Sequence, residues 1–383
     1  MDPLLHWRKE FPTLGNTVHL ISHSLGAMPR RTRDRLNEYA DNWSTRNIRA
    51  WEEGWWEMPI TVGNLVAKII GAADGEVVML PNVSIAQSIV NSCFDWSGQR
   101  NRIVSEALNF PTNLYLYREL ERLGARLITV PSDDGLTVPL ERMLAAIDDH
   151  TLLVSVSHVI FKSAYIQDVA AIARRAHEVG ALVVADIYQS AGTVPVNVHE
   201  LDVDFATGGS VKWLCGGPGA AYLYVRPDRI AQFSPRNTGW FGHEKPFAFT
   251  MPEQHYAQGI WRYMAGTPAI VALYQARAGA ELIAEIGVAR IRATSLRMTQ
   301  KMIWACDQAG YTINTPREPE RRGGTICFDF VGADKVTKAL NKSGYLCDHR
   351  PGCGIRVSPH FYSTDEEVMR FLDEVARFKK ELA

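Results

Sequence analysis

The chain has 383 residues, 46% of them hydrophobic and 22% charged, with a formal net charge of -1. That balance is ordinary for a folded globular protein, and it leaves no electrostatic footprint for nucleic acid or an anionic membrane. The length suits a large α/β domain with a smaller companion.

No apolar run approaches the roughly 18 residues of a membrane span. The opening MDPLLHWRKEFPTLG has neither the basic start nor the apolar stretch of a signal peptide. Cys93, Cys215, Cys306, Cys327, Cys347 and Cys353 form no C-x-x-C pair, and Cys347 and Cys353 lack His or Cys partners at zinc spacing. No metal site is expected, and reduced thiols in the cytoplasm are the default expectation.

In chain order, four tryptophans come first: Trp43, Trp51, Trp55 and Trp56. They read either as an interface or pocket wall, or as an aromatic core patch. From residue 85, apolar runs bounded by Gly, Pro and Asp alternate with amphipathic stretches. The pattern predicts helices over 85–93, 112–122, 140–147 and 169–178, and strands over 102–104, 126–130 and 152–155, with a further strand ending at Asp186. This alternation argues for a mostly parallel sheet with helices on both faces. After about residue 270 two long helices (269–286, 288–309) lead to a strand (325–330), a helix (333–343), a short strand (354–357) and a final helix (365–382). That part reads as a smaller α+β domain closing over the larger one.

The segment ALVVADIYQSAGTVPVNVHELDVDFATGGSVKWLCGGPG, from Ala181, is the most informative. A strand delivers Asp186 at its C-terminal end, where ligands bind in such sheets. A second strand, over 204–206, leads through Thr207, Gly208, Gly209 and Ser210 to Lys212, followed by small residues. A carboxylate 26 positions before a lysine in a Gly/Ser setting is what pyridoxal phosphate chemistry needs. The lysine condenses with the cofactor aldehyde, and the carboxylate keeps the pyridine nitrogen protonated so the ring can accept electrons.

Longer stretches carry a family resemblance: HSLGAMP near residue 23, NFPTNLY from Asn109, HVIFKSAY from His158, SVKWLCGGPGAAYLYV, TGWFGHEKPFAF, YAQGIWRYMAGTP, TPREPERRGG and RVSPHFYST. With these, the chain resembles fold-type-I pyridoxal phosphate enzymes of the class V aminotransferase group, and within it the kynureninases, over nearly its whole length. The resemblance implies a large cofactor domain over 51–285, a small C-terminal domain over 286–383, and an N-terminal segment, 1–50, packing on both.

Carried over by motif position, Lys212 and Asp186 are the catalytic pair and Phe110 stacks on the cofactor ring. Gln189 would hydrogen-bond the cofactor's phenolic oxygen. Val83 and Ser84, at a helix start that favours anions, would bind the phosphate, and Ser210 would add a second hydroxyl. Trp240 and Thr267 would reach the phosphate of the opposite subunit, which implies a homodimer. Arg356 would hold the substrate carboxylate by a two-pronged contact, and His23 and Ser24 lie in the substrate-binding stretch.

Several positions depart from the kynureninase pattern. Val211 precedes the lysine where a tyrosine is usual, and Asn113 replaces an acidic residue. Ser22-His23-Ser24-Leu25-Gly26 replaces the usual GNSLG. Tyr188 stands where a small residue is common, either as a relocated catalytic phenol or as a side chain that narrows the pocket. The expected activity is hydrolytic Cβ–Cγ cleavage of a kynurenine-like amino acid. The alternative is another reaction on the same scaffold, such as C–S β-elimination, decarboxylation or tailoring of a modified amino acid. A non-catalytic cofactor-binding regulator is the third reading, and it need not have kept Arg356.

Overall fold

The structure is a computed structural model and describes residues 3–249 and 253–382. Seven strands form the central sheet in the spatial order Val77–Leu80, Ala221–Val225, Phe205–Gly209, Leu182–Asp186, Thr151–Ser157, Arg102–Glu106 and Arg126–Val130. All run parallel except Ala221–Val225, which is antiparallel to both of its neighbours. Along the strands Ile103, Leu153, Val184 and Phe205 enter one hydrophobic cluster, while Val104, Val154, Val183 and Ala185 enter another. This is the two-residue alternation of a strand with both faces covered. Buried parallel strands are apolar on both sides, so these segments read as unbroken apolar runs in the sequence.

The helix Val169–Glu178, the strands Arg126–Val130 and Gly354–Val357, and the helix Asp365–Leu382 have the bounds expected from the sequence. The strand expected over 204–206 instead spans Phe205–Gly209. Thr207, Gly208 and Gly209 are poor strand formers, but Ala221–Val225 pairs along them, Gly208 with Tyr222 and Gly209 with Ala221. Pairing outweighs the weak local preference.

A second sheet, of four antiparallel strands, has the order Asp348–Arg350, Gly354–Val357, Ile326–Asp329 and Thr312–Ile313. Its core includes Met298, Met302, Ile326, Phe328, Ile355 and Phe371. The N-terminal stretch contributes to both cores: Leu4 and Phe11 to the large one, Val18 and Leu20 to the small one. Val18–His19 pairs parallel with Tyr345–Leu346.

The tryptophan-rich segment divides between core and surface. Trp55 is buried and donates its indole N–H to the Tyr274 hydroxyl at 3.2 Å. Trp56 stacks 4.0 Å from Phe241, and Trp43 is exposed. Among the described residues no helix is long and apolar enough to cross a membrane.

Candidate active site

The carboxyl ends of the central strands meet at a cavity of about 230 Å³, lined by Lys212, Asp186, Tyr188 and Gln189 together with Val83, Ser84 and Phe110. Asp186 reaches it because its strand ends in register with Ser157 on one side and Thr207 on the other. Lys212 lies in the turn between Phe205–Gly209 and Ala221–Val225. That turn is held from distant parts of the chain. Gly26 donates its N–H to the Val211 carbonyl at 2.8 Å, and the His360 ring bonds the Trp213 carbonyl at 2.9 Å. A Cβ at Gly26 would stand 2.1 Å from the Lys212 carbonyl oxygen, so only glycine lets the two backbones approach.

Burial lowers the Lys212 amine to about 8. Asp186 opposes that shift and Arg356 adds to it. A substantial fraction of the amine is therefore unprotonated near neutral pH, as a nucleophile and base requires. Its Nζ lies 4.3 Å from the centre of the Tyr188 ring and 5.6 Å from that of Phe110.

Burial pushes the Asp186 carboxyl upward, while the Tyr188 N–H, Lys212 and Asn113 pull it back. Tyr188 donates its backbone N–H at 2.9 Å, and the Asn113 amide donates at 3.1 Å. The other N–H of Asn113 goes to Asn109 at 2.9 Å, so its orientation is fixed. Behind them Glu106 is fully buried and pushed up to about 7 by burial.

The helix Val83–Asn91 also begins at the cavity. Its cap is Asn82, whose side chain accepts from the Ile85 N–H at 3.0 Å. Ser84 is therefore not the cap. Its half-buried side chain lines the cavity at the end of the helix that favours an anion. Gln189 also lines the cavity. It donates one amide N–H to the His23 carbonyl and accepts from the Trp213 indole, both at 3.1 Å. An amide nitrogen carries two protons, so one remains for a ligand.

Ser210 needs correction as a phosphate ligand, and three other expected residues have surroundings that bear on their roles. The Ser210 hydroxyl donates to the carbonyls of Gly217 (3.0 Å) and Ala220 (2.8 Å) and does not line the cavity. It belongs to the turn that holds the lysine, because the preceding strand runs on to Gly209. Arg356 is buried and forked onto Asp348 at 2.8 and 2.6 Å, with a third bond to the Phe161 carbonyl at 2.7 Å. Its prongs are thus engaged by a neighbouring strand, since Asp348 and Arg356 are cross-strand partners. Burial pushes the Asp348 carboxyl up, but His23 and Arg356 outweigh it and hold the group well below the usual range. His23 bonds Ser358 at 2.7 Å and Asp348 at 3.2 Å, and burial lowers it to about 4. His23 therefore supports Arg356 from behind the cavity. Tyr188 does line the cavity, but burial raises its phenol above the ordinary value.

Ser24 is half-buried and outside the cavity lining. Trp240 also lies outside it, 39% exposed and 5.5 Å from Trp56, and Thr267 is exposed. Sequence reasoning gave no role to Phe161 or Asp348. Phe161 stands edge-on 5.2 Å from Phe110 and forms part of the wall.

Residues 26–371 match the family model described as "Aminotransferase class-V". The chain belongs to that family. Within the class-V family it is 34% identical to a kynureninase of Pseudomonas fluorescens, over 91% of this chain and 86% of that protein. It is 29% identical to one from Geobacillus thermodenitrificans, over 99% and 92%. It is also 32% identical to the "Uncharacterized aminotransferase YcbU" of Bacillus subtilis, over 97% and 96%. Among solved structures, a cysteine desulfurase from Thermococcus onnurineus superposes with a TM-score of 0.88 at 23% identity, covering 100% of this chain and 99% of that one. A cystine C–S lyase in complex with cysteine persulfide superposes at 0.86 with 18% identity, covering 96% and 99%. At those identities the two structures speak to the fold, which is that of fold-type-I pyridoxal phosphate enzymes.

Pyridoxal phosphate is accordingly the cofactor of this class-V protein, and the donor set suits it. Lys212 offers an amine for the aldehyde, Asp186 a carboxylate for the ring nitrogen, and Val83 and Ser84 a helix start for the phosphate. The buried Asn113 Oδ1 has no hydrogen-bond partner within the chain.

Proposed function

We propose that the protein hydrolyses the Cβ–Cγ bond of a kynurenine-like amino acid, giving an aromatic acid and alanine. The observation that carries this reading is a cavity without a thiol on a chain aligned end to end with kynureninases. None of the six cysteines lines the cavity, although all are described. Cys327 and Cys353, the latter just before Arg356, are buried and both donate to the Lys162 carbonyl, at 3.0 and 2.8 Å. A desulfurase would need a cysteine delivered to the substrate sulfur.

When bound, pyridoxal phosphate supplies an electron sink for the carbanion formed at the substrate α-carbon. The chain provides the rest. Lys212, lowered to about 8, removes the α-proton and returns it. Asp186, held by the Tyr188 N–H and Asn113, keeps the ring nitrogen protonated. Val83 and Ser84 hold the phosphate at the helix start, and Phe110 covers the ring. Arg356 receives the substrate carboxylate, which competes with Asp348 for the guanidinium prongs. Val211 has no hydroxyl, so the proton delivered when the bond breaks comes from another donor.

A second reading, C–S β-elimination, is favoured by Val211 and by Gln189, which occupies the position where cysteine desulfurases carry Gln and kynureninases His. Incubating the holoenzyme with kynurenine, 3-hydroxykynurenine and cystine separates the two. Anthranilate or its hydroxylated counterpart supports the first. Sulfide or persulfide release from cystine, with no aromatic acid from either kynurenine, overturns it. We further propose a cytoplasmic homodimer in which Trp240 and Thr267 approach the partner's phosphate site. Sedimentation of the wild type and of Trp240→Ala tests this.

A further inference from the structure

We infer that Tyr188 forms an aromatic floor for the cofactor ring, opposite the Phe110 ring, and that Gly209 is glycine in order to admit that floor. The Lys212 Nζ lies over both rings, 4.3 Å from the centre of Tyr188 and 5.6 Å from that of Phe110. Whatever is joined to this nitrogen must enter the space lined by both rings, since both belong to the same 230 Å³ cavity. The position of Tyr188 is set at two points. Its backbone N–H is bonded to Asp186 at 2.9 Å, and its phenol lies over Gly209. A Cβ added at Gly209 would stand 2.3 Å from the phenol oxygen and 2.5 Å from Cζ, closer than any real side chain allows.

Gly209 is an ordinary strand residue, paired with Ala221, and it is not among the residues of positive φ. Its backbone would therefore accept any amino acid. The three atoms nearest to an added Cβ all belong to the Tyr188 phenol. Gly209 and Tyr188 are thus one paired adaptation: the first gives up its side chain so that the phenol of the second can lie over it. Because the Lys212 Nζ stands over the ring of Tyr188, 4.3 Å from its centre, Tyr188 acts through the face of its ring. Two aromatic faces hold a planar pyridine ring more tightly than one face and a small aliphatic group, by roughly threefold to tenfold in affinity.

The test is a cycle of Tyr188→Ala, Gly209→Ala and the double variant, with Tyr188→Phe as the control. Readouts are pyridoxal phosphate affinity by fluorescence titration of the apoprotein and the visible circular dichroism of the bound cofactor. Tyr188→Phe is expected to match wild type within about twofold, because the ring remains. Tyr188→Ala is expected to weaken the cofactor by roughly threefold to tenfold and to change its dichroism. Gly209→Ala is expected to do the same by displacing the phenol. In the double variant the second change should cost nothing further, since the added methyl has no phenol to strike. Far-ultraviolet dichroism checks that each variant is folded. The inference is overturned if Tyr188→Ala binds the cofactor with unchanged affinity and dichroism, or if Gly209→Ala costs as much without the tyrosine as with it. It also fails if Tyr188→Phe behaves like Tyr188→Ala.

Discussion

Asn113→Asp exchanges the donor that steadies Asp186 for a second carboxylate at nearly constant volume. In the structure the Asn113 amide stands 3.1 Å from the Asp186 carboxylate. Two negative charges at that separation repel by about 5 kcal/mol at an effective dielectric of about 20. Losing a hydrogen bond to a charged acceptor adds about 1.5–3 kcal/mol. The folded variant escapes most of the repulsion by keeping one proton on the pair. Above the ordinary carboxylate range it therefore binds more protons than the unfolded chain, and its stability falls as pH rises. At pH near 4 about half of the unfolded carboxyls are protonated too. The variant is then expected within about 1 kcal/mol of wild type, and about 3–5 kcal/mol below it near pH 8. Urea denaturation of the cofactor-free protein at the two pH values measures this. Added pyridoxal phosphate should shrink the deficit at the higher pH, because a protonated ring nitrogen brings positive charge to the pair. An equal deficit at both pH values, or none near pH 8, would refute the account of Asn113 as the donor to an ionised Asp186.

Lys212→Ala is expected to lose the adduct that borohydride traps and the yellow colour of the holoenzyme, as read by mass spectrometry and absorbance. Because burial lowers the Lys212 amine to about 8, and only the unprotonated amine attacks an aldehyde, cofactor capture by the apoprotein should speed up as pH rises through 8 and then level off. A stopped-flow profile that keeps climbing towards 10.5, the value of an ordinary lysine, would contradict this. Asp348→Asn should destabilise the fold by about 3–5 kcal/mol, since it leaves the buried Arg356 without its forked partner. In a thermodynamic cycle with Arg356→Met the two losses should fall well short of additive.

The parts of the site that were legible in the sequence are those in which chemistry and secondary structure share one short stretch. Asp186 closes an apolar strand, and the Gly- and Ser-rich turn around Lys212 is unusual in itself. The Arg356 environment was not legible. Asp348 and Arg356 lie eight positions apart and meet only because the turn between them sets a cross-strand register. The only local signal was an acid before, and an arginine after, the Pro351-Gly352 turn. Ser210 was misread for a related reason. The strand that pairs along Gly208 and Gly209 extends the sheet past the expected end and leaves the hydroxyl facing its own turn. The antiparallel strand Ala221–Val225 was not read from the sequence, and which neighbours it joins depends on the whole sheet.

The turn carrying Lys212 is pinned by Gly26, near the beginning of the chain, and by His360, near its end. A chain still on the ribosome holds its reactive lysine long before it holds His360. Between the synthesis of Lys212 and that of His360 the turn is therefore unfinished. Competence to capture an aldehyde is in this sense a late event, switched on when the last elements dock. A truncation that removes His360 should leave a protein with an intact central sheet and a lysine that reacts as if it were on the surface.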